Sequence, residues 1–169
     1  MELLKSSNRL HQNSRNFRAV AVFSVLFSSC HQEPEALVEI PDPLEIKVVG
    51  REFYWHFLYP GPDQVLGTDD DFSVSKDIYV PVGYTMKLLV TSDDYIYFFR
   101  VPDFELREVA IPDLTHEIQF VPDHAGVSKL EVDPMCSAWT LHKNGSMGNI
   151  HVLSENEFKN WQAKQLTAR

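Results

Sequence analysis

The stretch Val132-Asp-Pro-Met-Cys-Ser-Ala-Trp-Thr-Leu-His-Lys-Asn-Gly-Ser-Met-Gly-Asn-Ile150 decides how this chain is interpreted. It joins two predicted strands and places Cys136, His142 and Met147 in the spacing Cys-x5-His-x4-Met. A thiolate, an imidazole and a thioether on one loop are ligand types that select copper. The same residues also suit a small buried cysteine, a surface histidine and a packing methionine. The remainder of the chain has to decide between these interpretations.

Length and composition limit the classes of protein to which the chain can belong. Its 169 residues provide one core of ordinary size, and a hydrophobic content of 44% excludes a disordered chain. The net charge of −9 argues against a nucleic-acid-binding protein, because phosphate binding needs clustered lysine and arginine. It suits a basic partner such as a small soluble cytochrome. Two cysteines, Cys30 and Cys136, argue against a disulfide scaffold.

Short apolar segments separated by turn signals predict an all-β fold. The predicted strands cover residues 46–49, 51–59, 76–80, 85–91, 95–101, 116–121, 128–132 and 150–153. Strands at this spacing, without an intervening helical pattern, are typical of a β-sandwich. The spacing of Ser154 and Glu157 indicates a capping box and therefore a short C-terminal helix. Phe158 and Trp161 would form an apolar stripe that packs on the sandwich.

The first 45 residues have the pattern of an exported, membrane-anchored protein. Basic residues, a short apolar run and Ser28-Ser29-Cys30 predict a signal peptide over 1–29 of the lipoprotein type, with lipidation of Cys30. A plain signal, cleaved or uncleaved, is the alternative. Residues 30–45 are acidic and rich in proline, as a flexible tether would be. We therefore expect a domain over 46–169 on the extracytoplasmic (periplasmic) face of a bacterial cell envelope, attached to the membrane through a lipid anchor.

No residues favour an enzyme that acts alone. The chain has no glycine-rich phosphate loop and no His-x3-His pair. The acidic groups at 69–71 and 93–94 lie in turn-like sequence and are interpreted as solvated carboxylates.

Several segments, in order along the chain, resemble the soluble domain of cytochrome c oxidase subunit II, a Greek-key cupredoxin β-sandwich. Gly50-Arg-Glu-Phe-Tyr-Trp-His-Phe-Leu-Tyr-Pro60 is similar to the aromatic segment of that family. Val80-Pro-Val-Gly83 and Leu88-Leu-Val-Thr-Ser-Asp-Asp94 resemble its next two segments, as do Val101-Pro-Asp-Phe104 and Ala110-Ile-Pro112. Met147-Gly-Asn-Ile150 and the sequence from Ser154 to Trp161 resemble its ending.

The resemblance implies a dinuclear copper centre, CuA, whose two metal ions are bridged by two cysteine thiolates. In this chain, Tyr97 stands at the position of the family's first histidine ligand. Val132 stands at the position of its first cysteine ligand. Pro134 stands where a glutamate coordinates through its carbonyl group. The second cysteine is present as Cys136. One bridging thiolate cannot hold two copper ions, so we expect this centre to be absent.

The other implied positions also differ from the family. His142 and Met147 supply the remaining ligand types only if the loop is four residues longer than in the family. Phe53 replaces the tryptophan associated with electron entry.

Two interpretations follow from the resemblance. In the first, the chain carries no cofactor and is a docking or structural subunit, in contact with haem–copper oxidase subunit I or a related respiratory membrane complex. In the second, Cys136, His142 and Met147 hold one copper ion for electron transfer, as in mononuclear cupredoxins. In either case the chain would be at most a non-catalytic or electron-transfer subunit of an oxidase. It would not bind nucleic acid.

Overall fold

The structure, a computed structural model, describes residues 39–132, 142 and 144–168. The described residues form ten strands, one 3₁₀ helix and one α-helix. In chain order the elements are β1 (Leu44–Arg51), β2 (Tyr54–Tyr59), β3 (Phe72–Ser75), β4 (Ile78–Pro81), β5 (Met86–Ser92), β6 (Tyr97–Val101), the 3₁₀ helix (Pro102–Phe104), β7 (Leu106–Ala110), β8 (His116–Phe120), β9 (Gly126–Glu131), β10 (Ser146–Leu153) and α1 (Glu155–Thr167).

The strands form three sheets with crossover connections. The largest has the order β3-β2-β1-β5-β8, with β1 antiparallel to β2 and parallel to β5. The second has the order β4-β10-β9, in which β4 and β10 are parallel. Strands β6 and β7 form an antiparallel pair. Alternate residues of each strand point to opposite faces, which allows one face of each sheet to be buried.

The core lies between the two larger sheets. Trp55, Phe57 and Tyr59 alternate along β2 and are fully buried. They share one hydrophobic cluster with Ile78 of β4 and Ile150 of β10. This arrangement confirms the predicted all-β sandwich.

The C-terminal helix packs on the sandwich as predicted. Ser154 caps it, and its backbone N–H donates to Oε2 of Glu157 at 3.0 Å, which completes the capping box. Phe158 is fully buried, and Trp161 stacks on Tyr79 with 4.6 Å between ring centroids. Among the described residues, no helix combines the length and the apolarity that a membrane span requires.

Three differences from the predicted strands have physical causes. The predicted strand 51–59 is divided by a two-residue turn at Glu52 and Phe53, whose φ angles are 51° and 64°. Aromatic residues on both sides of the turn concealed it. Strands β3 and β7 were not predicted, because their sequences FSVS and LREVA are short and are interrupted by polar side chains.

The sheet also begins earlier than the predicted boundary at residue 46. Strand β1 starts at Leu44, and Ile40 is buried in the core. The end of the segment predicted as a tether is therefore part of the domain. The predicted signal peptide, 1–29, and Cys30 lie outside the described residues.

Candidate functional site

The predicted ligands lie around the connection between β9 and β10. Cys136 and Pro134 are outside the described residues. Met147 is the second residue of β10 and its side chain is buried in the core cluster. His142 is partly buried.

Backbone contacts hold the ends of this connection together. The N–H of Val132 donates to the carbonyl oxygen of Gly145 at 3.2 Å, and the N–H of Gly145 donates to the carbonyl of His142 at 2.8 Å. Gly148 has a φ of 142°, and a Cβ atom there would overlap the carbonyl group of Lys76. Only glycine fits this close approach, which fixes the backbone beside Met147.

His142 is oriented by the turn between β1 and β2. Its Nε2 lies 2.7 Å from the carbonyl oxygen of Phe53, and its ring meets that of Tyr54 edge to face at 5.2 Å. A carbonyl oxygen only accepts, so Nε2 carries the proton of this hydrogen bond and Nδ1 is the acceptor in the neutral ring. Metal-binding histidines are commonly oriented in this way, by a backbone carbonyl on the nitrogen that does not bind the metal.

Tyr97 occupies the position at which the family resemblance places a histidine ligand. It is fully buried, and its hydroxyl donates to Oδ1 of Asp94 at 2.7 Å. The same hydroxyl accepts a hydrogen bond of 3.2 Å from the N–H of Phe53. Its ring lies against Gly50, where a Cβ atom would overlap it. The phenol is therefore a structural part of this site.

Asp94 is the second anchor of the turn. Its carboxylate accepts hydrogen bonds from the N–H of Glu52 and the N–H of Tyr95, both at 2.7 Å, in addition to the one from Tyr97. Loss of hydration opposes its charge, but these donors outweigh that effect and hold the pKa of Asp94 below its ordinary value. Sequence reasoning treated this residue as a solvated carboxylate. It is exposed, but it also has a structural role that its position in a turn did not reveal.

Asp94, Tyr97 and His142 together form what we call the turn clamp. They bind the N–H of Glu52, the N–H of Phe53 and the carbonyl of Phe53, respectively. Residues other than glycine in left-handed conformation cost about 1 kcal/mol or more each. The clamp offsets this cost at two consecutive residues, Glu52 and Phe53.

The residues present do not fit a dinuclear copper centre. Val132, at the first cysteine position, is a buried hydrocarbon without a donor atom. Tyr97 offers a hydroxyl whose proton is committed to Asp94. Among the described residues, no group of three or more histidine, cysteine, aspartate or glutamate side chains is arranged to hold a metal ion.

The donor set for one copper ion lacks its fourth member. His142 and Met147 have suitable donor atoms, whereas Tyr97 stands where a second imidazole would be needed. Each of the other described histidines lies close to another polar side chain. These pairs are His56 with Ser75, His116 with Glu108, His124 with Asp123 and His151 with Asp77.

An apolar surface lies directly outside the turn clamp. Phe53 stacks on Tyr95 with 5.2 Å between centroids, and Tyr95 is 55% exposed. Ile96 and Tyr54 are 54% and 40% exposed. We call these four residues the apolar tip. The acidic residues Glu52, Asp93 and Asp94 are exposed and adjoin it along the chain, and Asp93 pairs with Arg51 at 3.6 Å.

Comparison with known proteins finds similarity to cytochrome c oxidase subunit 2. No protein-family model matches the chain. It is 30% identical over 142 residues to a probable cytochrome c oxidase subunit 2 of Rickettsia bellii, covering 75% of this chain and 51% of that protein. It is 24% identical over 153 residues to the alternative cytochrome c oxidase subunit 2 of Bradyrhizobium diazoefficiens, covering 77% of this chain and 54% of that protein. The chain thus spans about half the length of these relatives.

A solved structure shares the fold. The periplasmic domain of subunit II of the cytochrome oxidase of Bradyrhizobium japonicum superposes with a TM-score of 0.61 at 22% identity. The match covers 77% of this chain and 99% of that domain. It confirms the predicted cupredoxin architecture.

Proposed function

We propose that this chain, which carries a divergent cupredoxin domain of the cytochrome c oxidase subunit II type, is a docking and structural subunit of a haem–copper oxidase or a related respiratory membrane complex. In this proposal the domain lies on the extracytoplasmic side of a bacterial membrane and contains no CuA centre. The lipoprotein-type signal and Cys30 would anchor it there.

The observation that carries the proposal is the turn clamp. At a ligand position of the family, Tyr97 is buried and hydrogen-bonded to Asp94 and to the backbone of Phe53. A side chain committed in this way stabilises the protein rather than binding a metal ion. The fold is therefore maintained by hydrogen bonds at the place where the family uses coordination.

The apolar tip supports a docking role. Contiguous apolar patches larger than a few hundred Å² are rare on monomeric soluble proteins and often mark interaction sites. Three of its members, Phe53, Tyr54 and Tyr95, are aromatic, and tyrosine is enriched among the residues that contribute most to binding energy at interfaces. The acidic residues at its rim would favour a basic partner surface, such as that of a small cytochrome, by electrostatic steering.

Affinity isolation from mild detergent tests the proposal. The full chain, tagged at its C-terminus, should bring down subunits that carry haem. Double substitution of Tyr95 and Ile96 by serine should weaken this recovery, whereas Val127→Ser, an exposed valine on β9, should not. Recovery of the chain alone under several detergents would contradict a role in a respiratory complex.

A mononuclear copper site is the second candidate, and the orientation of His142 favours it. With Nε2 bound to the carbonyl of Phe53, Nδ1 is left with its lone pair for a metal ion. Cys136 and Met147 would complete a three-ligand set. Copper analysis of the purified chain, together with its visible spectrum, distinguishes this candidate from a chain without a cofactor.

A further inference from the structure

A cavity of about 410 Å³ opens beside His142. It is bounded by the start of β2, the residues before β4, β9 and the start of β10. Its lining includes Tyr54, Lys76, Asp77, Lys129, Asn144 and Asn149. Ligand pockets in proteins have volumes of roughly 300–1,000 Å³, so the space is sufficient for a small molecule.

Two ammonium groups dominate the charge of this cavity. Lys76 lies over the ring of Tyr54, with its Nζ 5.1 Å from the ring centroid, which restricts the position of the ammonium. Lys129 comes from β9 on another wall. Within the described part of the chain, no carboxylate forms an ion pair with either lysine. Two such lysines stand out in a chain with a net charge of −9.

The acidic residue in the lining is already engaged. Oδ1 of Asp77 accepts hydrogen bonds from the backbone N–H of Asn149 at 2.8 Å and from its Nδ2 at 3.1 Å. Oδ2 of Asp77 lies 3.6 Å from Nε2 of His151. The hydrogen bonds from Asn149 orient this carboxylate, whose negative charge is outnumbered in the lining by the two lysines.

A neutral donor adds to the two lysines. Oδ1 of Asn144 accepts a hydrogen bond of 3.2 Å from the N–H of Ser146. The side-chain NH₂ group of Asn144 therefore remains to donate hydrogen bonds to a ligand. Two cations and an amide donor at one cavity form the lining that an oxygen-rich anion requires.

We propose that this cavity binds a phosphate group, with Lys76 and Lys129 balancing its two negative charges and Asn144 donating to a third oxygen. The cavity shares His142 and Met147 with the candidate copper site and Tyr54 with the apolar tip. Phosphate binding itself requires neither copper nor a docking partner. It would take free phosphate or the phosphate of a lipid headgroup, which have the same chemistry.

Equilibrium dialysis of the detergent-solubilised full chain against radiolabelled inorganic phosphate tests the site. We expect saturable binding of one phosphate per chain, displaced by sulfate but not by chloride at the same ionic strength. Lys129→Gln should weaken binding at least about tenfold, because a hydrogen bond to a charged group is lost. Lys47→Gln, at an exposed position on β1, is the matched control and should leave binding unchanged.

The results distinguish a specific site from diffuse electrostatic attraction. Non-saturable uptake, or equal weakening by Lys129→Gln and Lys47→Gln, would show diffuse attraction and overturn the site. Asn144→Ala, at an exposed residue, provides a second variant that should also weaken binding. Vesicles that contain a phospholipid with a phosphomonoester headgroup form a second arm. Competition by these vesicles would identify a lipid source, and displacement by inorganic phosphate alone would identify a soluble one.

Discussion

The hydroxyl of Tyr97 and Oδ1 of Asp94, three residues apart in sequence, form a hydrogen bond of 2.7 Å beneath the turn between β1 and β2. The same hydroxyl accepts from the backbone of Phe53, so one phenol links the loop before β6 to the turn. A metal ion bound to an imidazole would tie the same region together through coordination. In this chain, hydrogen bonds tie the region together.

Replacing Tyr97 by phenylalanine tests the contribution of the hydroxyl. The substitution keeps the ring against Gly50 but leaves Asp94 and the N–H of Phe53 without this partner. We expect a loss of about 1–3 kcal/mol in the free energy of unfolding, measured with urea. Tyr95→Phe, at an exposed tyrosine nearby, is the control and should change stability by less than about 0.5 kcal/mol. Equal effects of both substitutions would contradict the role assigned to Tyr97.

Asp94 should make the stability of the domain depend on pH in acid. Its pKa in the folded protein is lowered, so its carboxylate contributes stability above the unfolded-state pKa of about 3.9. That contribution is lost as the pH falls through the lower folded-state pKa. Asp94→Asn removes the charge, so the difference in unfolding free energy between parent and variant should shrink as the pH falls from neutral to below about 4. A constant difference over this range would show that the charge on Asp94 does not stabilise the turn.

Tyr97→His restores the imidazole that a copper site lacks. Together with Cys136, His142 and Met147 it would complete the ligand set of a mononuclear cupredoxin. We expect this variant to bind copper more tightly than the parent and than Tyr97→Phe, which has no donor atom at this position. Titration with copper under a competing chelator measures the affinities. Identical affinities in all three proteins would exclude residue 97 from any copper site.

If copper binds, substitutions of Cys136 and Met147 should have different effects. Thiolate is the strongest donor of the set, so Cys136→Ser should abolish both binding and the thiolate-to-copper absorption band. Met147→Leu should leave copper bound and mainly shift its reduction potential, because the thioether is a weak ligand. Voltammetry and the visible spectrum report the two effects. A coloured Cys136→Ser protein would place the copper elsewhere.

Cys30 should determine how the chain is held at the membrane. If it is lipidated, Cys30→Ser should release the protein from the membrane fraction into the soluble fraction, because the acyl chains provide the anchor. Fractionation of cells that express parent or variant measures this. A variant that remains as membrane-bound as the parent would indicate that the apolar run 19–27 acts as an uncleaved anchor.

Sequence reasoning succeeded where the signal is periodic and local. Alternating apolar residues and turn signals were sufficient for the sandwich, and the spacing of Ser154 and Glu157 located the start of the helix. The turn clamp could not be predicted in the same way. It joins Phe53 to Tyr97 and to His142, 44 and 89 residues away in sequence, and it depends on positive φ angles at residues that usually avoid them. Gly50 and Asp94 are the sequence features on which the clamp depends. Only the fold shows that Gly50 makes room for the ring of Tyr97 and that Asp94 binds the hydroxyl of Tyr97.

Copper content tests the central claim most directly. The purified full chain, loaded with excess copper and freed of unbound metal, should contain no more than one copper ion per chain by elemental analysis. Val132 and Tyr97 remove one bridging thiolate and one imidazole from the set that two copper ions need. A purple protein with two copper ions per chain would contradict this account.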